Sequence, residues 1–176
     1  MAWKTLSSKK VYENRYMKVY DEEVVTDFGD KLSYGVVKKE PFVVIVPWDG
    51  EKVLLVGQYR YPVDFFSWEF PMGHAENLGI NEAALAELQQ ETGLIAKKIE
   101  EIGSFYPAPS HLSQIGHIFV ATDYVEGEKA LEPAEKGMEN KWVALSELKS
   151  MIDSGTIKDS PTIASLKFFE LYLAKK

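Results

Sequence analysis

The sequence contains no cysteine. That excludes disulfides, thiolate nucleophiles and zinc–thiolate sites, and it fits a reducing cytoplasm. Histidine is scarce too: there are 3 in the chain, His74, His111 and His117, and none stands at metal-ligand spacing from another. Basic residues are outnumbered, with 20 Lys and Arg against 27 Asp and Glu and a formal charge of −7. Such a chain has no general attraction for a polyanion, so no nucleic-acid partner is expected. An anionic small ligand would need a local offset, either a metal ion or a few Arg and Lys side chains. Long apolar runs are absent. The longest, residues 42–48, falls far short of a bilayer span, and the opening MAWKTLSSKK has no apolar signal-peptide stretch. These absences predict a soluble cytoplasmic protein with no membrane partner.

What is present suits one folded domain. The 176 residues are 45% hydrophobic, enough for a sizeable core and, beside it, a small extra subdomain. KKVYENRYMKVYDEEVVT and KLSYGVVKK are rich in Val and Tyr and partly alternating, which predicts an N-terminal strand meander turning at Phe28-Gly29-Asp30. FVVIVPW predicts a buried strand. Asp49-Gly50 then predicts a hairpin with KVLLVGQYRY as the returning partner. SWEF is a short strand before Pro71-Met72-Gly73. Further strands are expected at AKKIEEIGSFY, IGHIFVATDYV and NKWVAL, with a loop holding Pro107, Pro109, Ser110 and His111 between the first two. Helices are expected over residues 81–92, closed by Gly93, over SELKSMIDSG with Ser146 as N-cap, and over SPTIASLKFFELYLAKK with Pro161 in its first turn. Phe168 and Phe169 of that last helix read as core. Mixed strands with three helices predict an α/β domain with helices on both sheet faces.

The chemistry concentrates in EFPMGHAENLGINEAALAELQQETGL. Glu87, Gln90 and Glu91 stand at i, i+3 and i+4, on one side of the first helix, while Leu85 and Leu88 point elsewhere and can bury. Two neighbouring carboxylates repel, and a hard divalent cation relieves that repulsion. Mg²⁺ takes oxygen ligands, keeps several waters and leaves room for phosphates. The spacing alone is equally that of a solvated, exposed helix face.

The whole segment resembles the Nudix box, G-x5-E-x7-R-E-U-x-E-E-x-G-U, with U a bulky aliphatic residue. Glu87, Leu88, Gln89, Glu91, Thr92, Gly93 and Leu94 match its close. Gly73 to Glu87 is one residue shorter than the pattern. The early glutamate falls on Leu78 or Asn77, with Glu76 nearby, the arginine is Ala86, and the first acid of the Glu-Glu pair is Gln90. VLLVGQYRYP followed by SWEFPMG, then GSFYPAPSHLSQIGHIFVA and SGTIKDSPTIASL, resemble the ADP-ribose pyrophosphatase branch from residue 42 to the end.

This resemblance implies a Nudix-type α/β/α sandwich with a mixed sheet over residues 41–176. It also implies a small antiparallel β subdomain over residues 1–40 that serves as the dimerisation element of a homodimer. It implies Mg²⁺, with Mn²⁺ as a substitute, held by Glu87, Glu91 and the carbonyl of Met72. The reaction implied is hydrolysis of a nucleoside diphosphate linked to a second moiety, ADP-ribose giving AMP and ribose 5-phosphate. Arg60 would clamp phosphate, the alternative being a strand-end arginine in a surface ion pair. Trp68 and Glu69 would hold the nucleoside, the alternative being a core tryptophan and an edge acid. His74 would touch phosphate. The general base falls in EPAEKGME, where Glu135 is chosen over Glu132 and Glu139, and the catalytic set implied is Glu135, Glu91 and Gln90. The missing arginine and early glutamate are consistent with joint loss of one charge pair. The departures also leave open a catalytically weakened Nudix-like module that binds a nucleotide or a partner protein.

Overall fold

The computed structural model describes residues 3–75 and 78–176. The chain divides into two units: residues up to Pro41 together with Tyr106–Ile115, and Phe42–Phe105 together with Gly116–Lys176.

The N-terminal unit is a three-stranded antiparallel sheet of β1 (Lys4–Glu13), β2 (Lys18–Val25) and β3 (Lys31–Lys38). The first predicted stretch folds on itself, because Asn14 closes a turn. Its side-chain carbonyl accepts from the N–H groups of Tyr16 and Met17 at 2.8 and 2.9 Å. Gly29 supplies the positive φ, 88°, of the second turn. The Pro-rich loop joins this unit through Val37, whose N–H donates to the His111 carbonyl at 2.7 Å and whose carbonyl accepts from the Ser113 N–H at 3.0 Å.

The larger unit holds two sheets. One runs in the order β7 (Met72–His74), β4 (Phe42–Pro47), β9 (Gly116–Glu126), β8 (Leu94–Phe105), with β4 and β9 parallel and the other pairs antiparallel. The second is β10 (Glu139–Ala144), β5 (Lys52–Arg60), β6 (Phe65–Glu69), all antiparallel. Helices α1 (Ile80–Thr92), α2 (Leu145–Asp153) and α3 (Ser160–Leu173) complete it.

The period of two along β4 and β9 explains the layers. Phe42, Val44 and Val46 with Ile118 and Val120 pack with Leu148 of α2 and with Leu166 and Phe169 of α3. Val43 and Ile45 with Phe119 and Ala121 pack with Ala83, Ala84 and Leu88 of α1. Helices therefore cover both faces, and the mixed α/β/α sandwich expected from the sequence is the fold observed.

Three local expectations are corrected. Asp49-Gly50 does turn the chain, with Asp49 Oδ1 accepting from the Glu51 and Lys52 N–H groups at 2.8 and 2.6 Å. Yet β4 and β5 part into different sheets, linked at the turn by the Trp48–Val53 bridge and the Asp49 N–H to Lys52 carbonyl bond. Each strand is apolar on both faces, so each is covered on both sides. Ser146 is not a cap: α2 begins one residue earlier, at Leu145, behind Ala144. Leu85 is exposed, whereas Leu88 is buried as expected.

Candidate active site

Helix α1 starts after Gly79, whose N–H donates to Glu82 Oε2 at 2.8 Å, and ends at Gly93, which takes the left-handed conformation at φ 78°. The N–H of Gly93 closes the last turn on the Gln89 carbonyl at 2.8 Å. Both termini being fixed, Glu87 and Glu91 are set toward β7. Gly73 on that strand is needed for contact: a Cβ there would overlap the Glu87 carboxylate. One turn on, Glu91 Oε2 accepts the Met72 N–H at 3.1 Å.

The alternative of a solvated acidic face does not hold at Glu91, while Glu87 and Gln90 are half-buried. Glu91 is 1% exposed, and so is Glu69. Burial, with the Glu87 and then the Glu135 charges adding, holds the Glu91 carboxyl well above the usual carboxylate range; the Met72 N–H and Arg60 act in the opposite sense. Two further acids thus press on the buried Glu91 carboxyl, and Arg60 opposes them.

That arginine is held on one edge. Glu69 takes Arg60 Nε on both oxygens, at 3.0 and 3.1 Å, and also pairs with Nη2. The Arg60 side chain remains 38% exposed, and Nη1 makes no hydrogen bond among the described residues. The alternative of a surface ion pair therefore meets a different fact: the partner carboxylate is interior. Desolvation lowers the guanidinium's affinity for its proton, while Glu69, Glu91 and Asp159 raise it, and the net effect is upward.

Trp68 and Glu69 were expected to hold one nucleoside together. Neighbours on a strand face opposite ways. Trp68 packs with the core cluster beneath α3 and edge-on to Phe66 at 5.8 Å between ring centroids. Glu69 faces the Arg60 side. His74 is half-buried on β7, opposite Phe42. His111 lies exposed against Ser110 at 3.1 Å, and His117 contacts Glu101 at 2.7 Å, so neither belongs to the site.

Glu135 arrives from the polar connection between β9 and β10. The Gly127 N–H donates to the Gly93 carbonyl at 2.7 Å and the Ala130 N–H to the Gln90 carbonyl at 3.0 Å, which lays that connection along the end of α1. Glu135 sits in a single helical turn, Pro133–Glu135, where its Oε2 accepts the Glu132 N–H at 2.8 Å. The same oxygen accepts from Gln90 Nε2 at 3.4 Å. The structure therefore brings Glu135, not Glu132 or Glu139, to α1. Glu76 and Asn77 lie outside the described residues.

Sequence reasoning missed Asp159 and Thr162. Asp159 caps α3, accepting the Thr162 N–H at 2.8 Å, and its carboxyl is raised by burial and then by Glu69. The signal was present, an Asp two residues before a first-turn Pro. Its proximity to Arg60 was not.

Among the described residues no three Asp, Glu or His side chains converge at coordination distance. A hard cation here would draw on Glu87 and Glu91, the Met72 carbonyl, water and the ligand's own phosphates, which is how Mg²⁺ is commonly held. The donor set is all oxygen and brings carboxylates together at a buried position, so it fits such an ion.

Comparison with known proteins identifies the family. Residues 38–166 match the NUDIX domain, and residues 3–37 match the nucleoside diphosphate sugar hydrolase N-terminal domain. The chain is 29% identical over 171 residues to an ADP-ribose pyrophosphatase of Bacillus subtilis (strain 168), covering 96% of this chain and 92% of the relative. It is 28% identical over 180 residues to a methanol dehydrogenase activator of Bacillus methanolicus, covering 98% and 95%. Its fold overlays the crystal structure of an ADP compounds hydrolase with a TM-score of 0.87 at 19% identity, over 99% of this chain and 96% of that one. The matched domain spans most of the chain and contains the Gly73, Glu87 and Glu91 arrangement, and the protein accordingly belongs to the Nudix family as a pyrophosphohydrolase.

Proposed function

We propose that the protein hydrolyses a nucleoside diphosphate joined to a second moiety, with Mg²⁺ as cofactor and Mn²⁺ able to replace it. ADP-ribose is the first candidate, and AMP and ribose 5-phosphate are its products. The observation that carries this reading is the buried Glu91 carboxyl, crowded by Glu87 and Glu135 beside the half-open guanidinium of Arg60.

Glu87, Glu91 and the Met72 carbonyl would hold the metal. Bound there, it neutralises phosphate charge and makes water more acidic. The chain's own groups do the rest. Arg60, fixed on its Nε edge by Glu69, offers its Nη1 edge to a phosphate oxygen. His74 on β7 is the second phosphate-facing group of this proposal. Glu69 serves binding through Arg60, and Trp68 offers a stacking surface on the opposite face of β6. Glu135 is the general base: half-buried and steered by Glu132 and Gln90, it accepts the proton of the attacking water. The new bond joins that water oxygen to phosphorus, and the bridging P–O bond breaks.

The amide at Gln90 has a role here. It donates to the base, where a carboxylate in its place would repel Glu135.

The meander of residues 3–38 is proposed as a dimerisation element. It exposes Trp3, Leu6, Val11, Tyr12 and Phe28, which a second copy would cover. The same reading places the enzyme in the cytoplasm.

The test is incubation with ADP-ribose and Mg²⁺. Equal amounts of AMP and ribose 5-phosphate, abolished by chelation, are expected. Absence of both products sinks the proposal for this substrate.

A further inference from the structure

The segment Phe70-Pro71-Met72 is tied to three separate elements by three main-chain groups. The Pro71 carbonyl accepts the Ile45 N–H of β4 at 2.9 Å. The Met72 N–H donates to Glu91 Oε2 of α1 at 3.1 Å. The Phe70 N–H donates at 3.0 Å to Thr162 Oγ1, 92 residues further along, in the first turn of α3. The first tie is sheet register and the second belongs to the acidic site. The third is a side chain reaching from another helix to a strand end, and both Phe70 and Thr162 are fully buried.

Thr162 is itself well placed to hold something still. Its N–H is satisfied by Asp159 at 2.8 Å, so the helix cap sets its position. Without its hydroxyl the buried Phe70 N–H would have no acceptor, and a buried unmatched donor drives the backbone to move. The only residue between Phe70 and Met72 is Pro71, whose φ is fixed by its ring. A shift at Phe70 is therefore passed to Met72 rather than absorbed. Met72 carries the N–H that fixes Glu91 and is followed by Gly73, the position against which Glu87 lies.

We infer that Thr162 is a positioning residue for the diphosphate site: its hydroxyl holds the Phe70–Met72 backbone in register with α1 and so fixes the Glu91 carboxylate. The catalytic consequence rests on the function proposed above; the backbone consequence does not. Loss of the hydroxyl lowers turnover more than substrate binding, because small misplacement at the reacting centre acts mainly on the transition state.

The experiment compares Thr162→Val and Thr162→Ser with the parent protein. Amide hydrogen exchange at Met72 is read in metal-free protein, as a ratio to the amide of Val120 in the middle of β9. The ratio removes any global loss of stability. In Thr162→Val the Met72 ratio should rise about tenfold, as expected for loss of one buried hydrogen bond. With ADP-ribose and Mg²⁺, kcat should fall about tenfold while KM stays within about twofold. Thr162→Ser, which keeps the acceptor, should restore both. A parental exchange ratio in Thr162→Val overturns the inference even if the melting temperature drops, and so does a parental kcat. A parent protein that does not hydrolyse ADP-ribose contradicts the proposed function instead, and the exchange ratio then decides the role of Thr162 alone.

Discussion

The N-terminal meander and the layers around Glu91 place side chains against the usual rule in opposite senses. Around Glu91 the larger unit takes charge inside: Glu69 and Glu91 are both 1% exposed. The meander puts apolar groups outside. Phe28 is 84% exposed, all ten residues of β1 are exposed, and Val24 is the one buried hydrophobic residue among those described in that unit. A large two-sided core can carry the cost of buried carboxylates, provided a cation compensates them on demand. A three-stranded sheet with almost no core of its own cannot hold aromatic side chains in water without a covering surface. The proposed function uses both exceptions, with a cation for the buried acids and a second chain for the exposed apolar groups.

Glu91→Gln should break the first half of this contrast most severely. Turnover of ADP-ribose should fall by about a thousandfold or more, the scale of several kcal/mol for metal-assisted charge stabilisation. The fold should survive, because the amide oxygen can still accept the Met72 N–H. The pH dependence gives a second readout. Glu91 has a folded-state pKa above its unfolded value. Its contribution to stability is fully present below the unfolded pKa and is lost as pH rises through the folded one. In chelator, the parent protein should therefore lose stability relative to Glu91→Gln as pH is raised from 4 upward. Denaturant midpoints across that range measure it, and parallel curves would contradict the buried-charge account.

The second half breaks at Trp3, Leu6 and Phe28. Replacing all three by Ser should convert a dimer to a monomer by light scattering at micromolar concentration. Central apolar interface residues contribute about 2 kcal/mol each, so three are enough to raise the dissociation constant by several orders of magnitude. A parent protein already monomeric would remove the meander from the comparison.

Glu69→Gln separates orientation from charge. Arg60 keeps a hydrogen-bonding neighbour but loses its ionic partner, with a stability loss of about 2 kcal/mol. KM for ADP-ribose should rise about tenfold as the guanidinium loses its fixed edge. An unchanged KM would show that Arg60 does not meet substrate.

How much of this was readable beforehand follows a physical line. The Glu87, Gln90 and Glu91 face, the Gly93 cap and the Gly73 approach are local, set by helix period and glycine geometry, and they stood in the sequence. The helices on both faces followed from three helical stretches set among mixed strands. Burial of Glu91 was not readable, because it depends on Met72, Arg60 and Glu135 arriving from three other elements. The parting of β4 and β5 after a strong turn signal was not readable either, since turn chemistry fixes the reversal and tertiary burial fixes the partner. Thr162 acts across 92 residues, beyond any local pattern.

Gln90→Glu should give the smallest effect. Without metal, the new carboxylate faces Glu135 and adjoins Glu87, and stability should drop by about 0.5 kcal/mol, the scale of a like-charge helical pair. With Mg²⁺ the sign should reverse, because binding to the folded state stabilises it. Melting temperatures with and without Mg²⁺ measure both, and no difference in either condition would make Gln90 incidental.

The central claim, that the inward acids await a cation and the outward acids of the same chain do not, is tested most directly by titrating Mn²⁺ into metal-free protein and following paramagnetic broadening of backbone amides. The account predicts that Met72, Gly73 and the α1 amides from Glu87 to Glu91 broaden first, and that Glu91→Gln delays this. Equal or earlier broadening around Asp21 and Glu23 of the meander, or broadening at α1 indifferent to Glu91→Gln, would contradict it.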